Sequence, residues 1–178
     1  MGTLIFTFFL VVIVLLVILE FNKFVNLRNK IKQSSSTIEV YLTQRFDLIP
    51  NLVECVKGYM KYESETLTKI TELRSQFSIN KDLQKGAELN HEFNNLLAIG
   101  ENNPDLKASE QFLNLQKNLT KIESQLQAAR RLYNGDVTLY NTEISKFPNN
   151  IFAKLFGFKE EKLFEVEAYK KDNINIDL

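Results

Sequence analysis

The side chains best suited to chemistry near neutral pH are Cys55 and His91, the one cysteine and the one histidine of the chain. Brought together they would give a thiolate nucleophile with an imidazole base. His91 lies between Glu88 and Glu92, a spacing that puts potential metal ligands on one helical face, but a structural zinc site takes four ligands. The rest of such a site is missing from the sequence. There is no H-E-x-x-H and no Gly-rich phosphate loop. Cys55 falls beside an apolar seam and reads as a small buried hydrophobe. No catalytic residue, cofactor or metal site is therefore expected, and the chain reads as a non-enzyme.

Two polar sets remain. In "RRLYNGDVTLYNTEISKFP" (130–148), Tyr133, Tyr140 and Phe147 are seven residues apart, and Asn134 and Asn141 follow the tyrosines. Seven residues are close to two helical turns, so the aromatics share one face and the asparagines stand about 100° round from it. A buried tyrosine hydroxyl needs a partner, and a carboxamide offers donors and acceptors. The main expectation is an aromatic stripe whose asparagines fix helix register. The alternative is a polar groove that receives a partner segment. The second set joins Arg45, Asp47, Asn51 and Glu63 to Arg130 and Arg131. Glu63 interrupts an apolar seam, where an unpaired carboxylate would be costly. Arg130 or Arg131 is its expected counter-ion.

The elements that must position these residues follow from composition and periodicity. Residues 3–19, from Thr3 to Leu19, carry no charge and, with their flanks, approach the ~20 residues that cross a bilayer. No basic segment precedes the run and no small-residue cleavage site follows it, so it reads as a retained anchor rather than a signal peptide. Lys23, Arg28, Lys30 and Lys32 follow closely. By the positive-inside rule the N-terminus faces out and the remainder lies in the cytoplasm as a single-pass protein. Overall, 22 Lys and Arg balance 22 Asp and Glu, so no basic field exists to hold nucleic acid.

Beyond the anchor, Phe24, Leu27, Ile31, Ser34, Ile38 and Tyr41 continue the first helix at heptad spacing to about residue 44. A turn is expected near 45–47, with Asp47 as N-cap and Pro50 in the first turn of a second helix over 48–79. A third helix is expected over 82–100, stopped by Gly100. A fourth is expected over 105–146, entered at Pro104 and ended by Pro148. The fold class is all-α: a transmembrane helix continuing into an antiparallel up-down four-helix bundle with long helices. The chain then divides into an anchor (1–22), a bundle (23–148), and an amphipathic foot with a loosely ordered tail (149–178). In that topology the fourth helix returns to the bilayer, and Ile151, Phe152, Leu155, Phe156 and Phe158 become either an interfacial foot or a lid on the bundle.

Four ordered motifs, "RFDLIPNLVECVKGY" (45–59), "NPDLKASEQFLNLQ" (103–116), "RRLYNGDVTLYNTEISKFP" and "FGF" (156–158), together with the anchor, make the chain resemble the LemA family over its length. Phe46 and the helix-interrupting Gly135 depart from the family pattern. The resemblance implies a membrane-anchored helical protein without an established activity. Some members look linked by gene neighbourhood to HtpX-type membrane metalloproteases, and a magnetosome-membrane protein is a relative. The expected role is a membrane scaffold or adaptor that binds a protein partner or itself. The alternative is a protein that binds or shapes membrane lipid through 149–159.

Overall fold

The computed structural model describes residues 1–57, 64–80 and 83–164, and of 64–67, 77–80 and 83–87 only the backbone. In chain order the helices are α1 (Gly2–Phe46), α2 (Ile49–Lys57), α3 (Ser64–Asn80), α4 (Leu83–Asn102), α5 (Pro104–Lys107), α6 (Glu110–Ser145) and α7 (Asn149–Leu155). Among the described residues there is no strand, and the chain is all-α as expected.

The first half of α1 is apolar on every side, and its large side chains from Leu4 to Leu19 face outward. A helix apolar all round is compatible with lipid, where its backbone groups would be satisfied internally. It is long and apolar enough to cross a membrane. From Phe24 the pattern becomes one-sided. Phe24, Leu27, Ile31, Ser34 and Ile38 are buried at alternating spacings of three and four. Ser34 fits this seam because its hydroxyl donates to the carbonyls of Lys30 and Ile31 at 3.0 and 3.1 Å.

The turn after α1 falls at Asp47 and Leu48, and Pro50 sits in the first turn of α2, where its missing N–H costs no helical bond. The Asp47 carboxylate accepts from Arg74 Nη2 at 2.9 Å, so this residue ties α3 to the turn. Phe46 is buried at the head of the core. The helix expected over 48–79 is described as α2 and α3, with 58–63 between them outside the described residues.

Two expectations about helix ends are corrected. Gly100 does not stop α4, which runs on to Asn102. It is buried, and a Cβ there would lie 2.6 Å from the ring of Phe112, so glycine is required by close packing. The fourth helix is broken near its start. Asn103 caps α5 by accepting from the N–H groups of Asp105 and Leu106, and Ser109 Oγ accepts from Phe112 N to start α6 afresh. Gly135, by contrast, leaves α6 uninterrupted.

Packing divides the described residues into two compact units, one within 37–128 and one that joins 1–36 to 129–164. α1 and α6 each contribute to both units. The core of the 37–128 unit includes Phe46, Ile49, Leu52, Val56, Ile70, Leu89, Phe93, Leu96, Leu106 and Phe112. The core of the other unit is built from Phe24, Leu27, Ile31, Val137, Tyr140, Ile144 and Ala153, with Tyr133, Phe152 and Phe158 against it.

Candidate functional site: a main-chain-binding groove and an apolar foot

In the unit of residues 1–36 and 129–164, the second half of α6 presents Tyr133, Asn134, Tyr140 and Asn141 to an extended segment that follows α7. The tyrosines and asparagines do not bond to one another. All four reach the backbone of residues 159–164. Asn134 donates to Phe164 O at 3.2 Å and accepts from Phe164 N at 2.7 Å. Asn141 repeats this with Glu161, at 2.9 and 3.0 Å. Tyr133 donates to Lys162 O at 3.1 Å and Tyr140 to Lys159 O at 3.0 Å.

The two registers match. Seven helical residues advance about 10.5 Å, and three residues of extended chain advance about 10 Å. A Tyr-Asn pair repeated every seven residues therefore meets an antiparallel extended segment every third residue. Phe147 does not extend the series, because α6 ends at Ser145 and leaves it 82% exposed. Val137 and Ile144 complete the buried face instead.

Aromatic contacts hold both ends of the segment. Phe158 packs edge-on against Phe21 and Phe24, with ring centres 5.7 and 5.3 Å away. Phe164 meets Tyr133 edge-on at 6.4 Å, and the Arg130 guanidinium stands over its ring at 5.0 Å. Arg28 lies 3.6 Å from Glu161. Burial pushes the Tyr133 and Tyr140 hydroxyls above the usual phenol range, so both remain donors at neutral pH. At about 0.5–1.5 kcal/mol net for a typical hydrogen bond, this set is a substantial part of what seats the segment.

The residues of the expected foot separate. Phe152 and Phe158 pack against the core. Ile151, Leu155 and Phe156 face outward, Leu155 being 73% exposed, and Phe156 stacks edge-on with Phe21 at 5.2 Å. That contact sets the outward face beside the end of the apolar half of α1. Close by, Glu143 bridges Lys23 and Lys146 at 2.7 and 2.6 Å, and these bonds, that of Lys146 first, hold its carboxyl below the usual range.

The remaining polar residues lie in the other unit or outside both sites. Arg45 donates to Asn94 at 2.8 Å, meets Glu123 at 3.2 Å and stands over the Phe93 ring at 5.2 Å, which knots α1, α4 and α6. Arg131 is exposed. Glu63 lies outside the described residues, and with it the pairing expected with Arg130 or Arg131. Asn51 and Cys55 line a groove of about 350 Å³ between α2 and α6, with Glu54, Gln111 and Asn114. Cys55 is only half-buried there, and that burial pushes its thiol up. His91 is exposed, with Nε2 3.2 Å from the Asn95 amide, and Glu92 bonds to Lys69 at 2.7 Å. Sequence reasoning missed the 159–164 segment, because its role is played by backbone atoms that no residue type marks.

Residues 34–178 match the model of the LemA family. The chain is 27% identical to Protein LemA of Metamycoplasma hominis over 86% of its own length and 73% of that protein's. It is 25% identical to Magnetosome protein MamQ 2 of Paramagnetospirillum magneticum and 23% identical to Magnetosome protein MamQ of Magnetospirillum gryphiswaldense, spanning 65% and 68% of those chains. The match covers α2–α7 and the second part of α1, including the groove and the foot, and the chain belongs to the LemA family.

Proposed function

We propose that this protein is a single-pass membrane scaffold that works by binding rather than by catalysis, with α7 seated on the cytoplasmic face of the bilayer. One observation carries the reading. The apolar face of Ile151, Leu155 and Phe156 stays exposed while being packed, through Phe21, against the end of the apolar helix. An apolar face beside a membrane-crossing helix is stabilised by burial in the headgroup boundary. Lys154 and Lys159 flank it and suit anionic lipid. The basic residues after the span support a cytoplasmic placement of 21–178. Seated in this way, the helical domain offers its surface to a membrane protein partner, such as an HtpX-type metalloprotease, or to itself.

The test places an environment-sensitive fluorophore at Leu155→Cys in a Cys55→Ser background, with the full chain in bilayers of mixed anionic and zwitterionic lipid. Strong quenching by lipids labelled near the headgroup, with weak quenching by aqueous iodide, is the expected result. Free access to iodide and indifference to the labelled lipid would remove the foot from the bilayer.

A further inference from the structure

We propose that the groove of Tyr133, Asn134, Tyr140 and Asn141 is a binding site for an extended polypeptide, and that it exchanges its own segment 158–164 for the same segment of a second copy of this chain. Every hydrogen bond from these four side chains to the segment ends on a main-chain N–H or C=O. Such a groove reads a conformation and a register, as a sheet edge does when it takes up an added strand. Residue identity enters mainly at the ends, where Phe158 and Phe164 are held by rings and by Arg130. The side chains of Lys159, Glu160, Lys162 and Leu163 are exposed. The occupant is therefore an extended segment with aromatics six residues apart.

A second copy meets this requirement by identity, in sequence and in register, and exchange of an identical element is a low-cost route to association. The joint also favours exchange. Gly157 connects the segment to α7 at φ +71°, and nothing lies within 4 Å of where its Cβ would be. Rotation there lets the segment leave while α7 keeps its place. The ladder bonds and ring contacts that break are remade in the second copy, and the Phe158 N–H bond to Ala153 O is given up. Anchoring of both copies in one bilayer keeps them in a common orientation and raises their effective concentration. The inference rests on the scaffold reading in that it gives self-assembly a means. Lipid quenching at α7 and the experiment below fail independently.

Light and heavy isotope-labelled full-length chains, each with p-benzoylphenylalanine in place of Phe164, are reconstituted together and irradiated. Cross-linked pairs between residue 164 and the α6 peptide around Tyr133 are then read by mass spectrometry. Mixed light–heavy pairs are expected, well above those found when the two preparations are reconstituted apart and pooled. Placing Asn134→Ala and Asn141→Ala in the heavy copy alone should abolish pairs of light segment with heavy α6 and leave the reverse pairs. If all pairs are isotope-matched, or residue 164 never reaches α6, the proposal is overturned.

Discussion

An asparagine side chain is a peptide group on a short arm. Its carboxamide presents one donor and one acceptor in the arrangement of a backbone unit, so Asn134 and Asn141 pair with Phe164 and Glu161 as a neighbouring strand would. The tyrosines add a dependence on pH. Their hydroxyls are raised by burial, with Glu161 adding to the effect at both and Arg28 opposing it at Tyr140. A raised value means that the folded state holds the proton more tightly. The contribution is thus complete below the ordinary tyrosine value of about 10 and is lost as pH rises through the folded value. Hydrogen exchange at Lys159–Phe164, corrected for the intrinsic rate at each pH, should show protection steady up to about pH 10 and falling above it as tyrosinate forms. In the Tyr140→Phe variant protection should be lower at neutral pH by about 1 kcal/mol, with a smaller alkaline loss. Protection independent of pH would contradict this assignment of the hydroxyls. The stripe and its flanking asparagines were legible at the sequence level, since seven-residue spacing is a helical signal. Their partner was not, because a carbonyl has no letter of its own.

At the scale of the element, two glycines separate packing from propensity. Gly100 touches the ring of Phe112, a residue with no exposed surface, whereas Gly135 has open space where a Cβ would stand. Gly100→Ala should destabilise the protein by about 1–3 kcal/mol, the usual cost of overpacking a core. Gly135→Ala should stabilise it by about 0.5–1 kcal/mol, since alanine loses less backbone freedom within a helix. Denaturant unfolding of both variants in detergent checks the pair, and equal effects of the same sign would count against the packing described. The seam of α1 was readable to its last turn, because burial at Phe24, Leu27, Ile31 and Ile38 follows directly from spacing. The break at Ala108–Ser109 was not. The seven-residue series starts at Phe112, after the break, so it carries no sign of the cap at Ser109 that precedes it.

At the scale of the whole molecule, one unit carries the apolar helix, groove and foot, and the other an Arg45-centred knot with its own core. Lys117 and Lys121 are exposed positions of α6 in the second unit. Photoreactive residues there, in cells, should capture a reproducible membrane protein if this unit is the partner-facing surface of the scaffold. Capture of lipid alone, or of nothing above background, would leave the adaptor reading without support. The fold class, the membrane helix and the family were legible because each is spread over many residues. The division into units was not, because it depends on contacts between segments that stand far apart in the chain.

That division also has a history in time. Residues 37–128 form one uninterrupted stretch, so the ribosome delivers them complete. The unit beginning at residue 1 is closed only by residues from 129 onward. Domains generally fold as they emerge, so the middle of this protein can reach its final structure while the first helix waits for the rest of α6, α7 and the 158–164 segment. The last described residues to be synthesised are those that the asparagine ladder holds. A nascent chain stopped before them would carry a finished middle unit and an α6 whose groove is still empty.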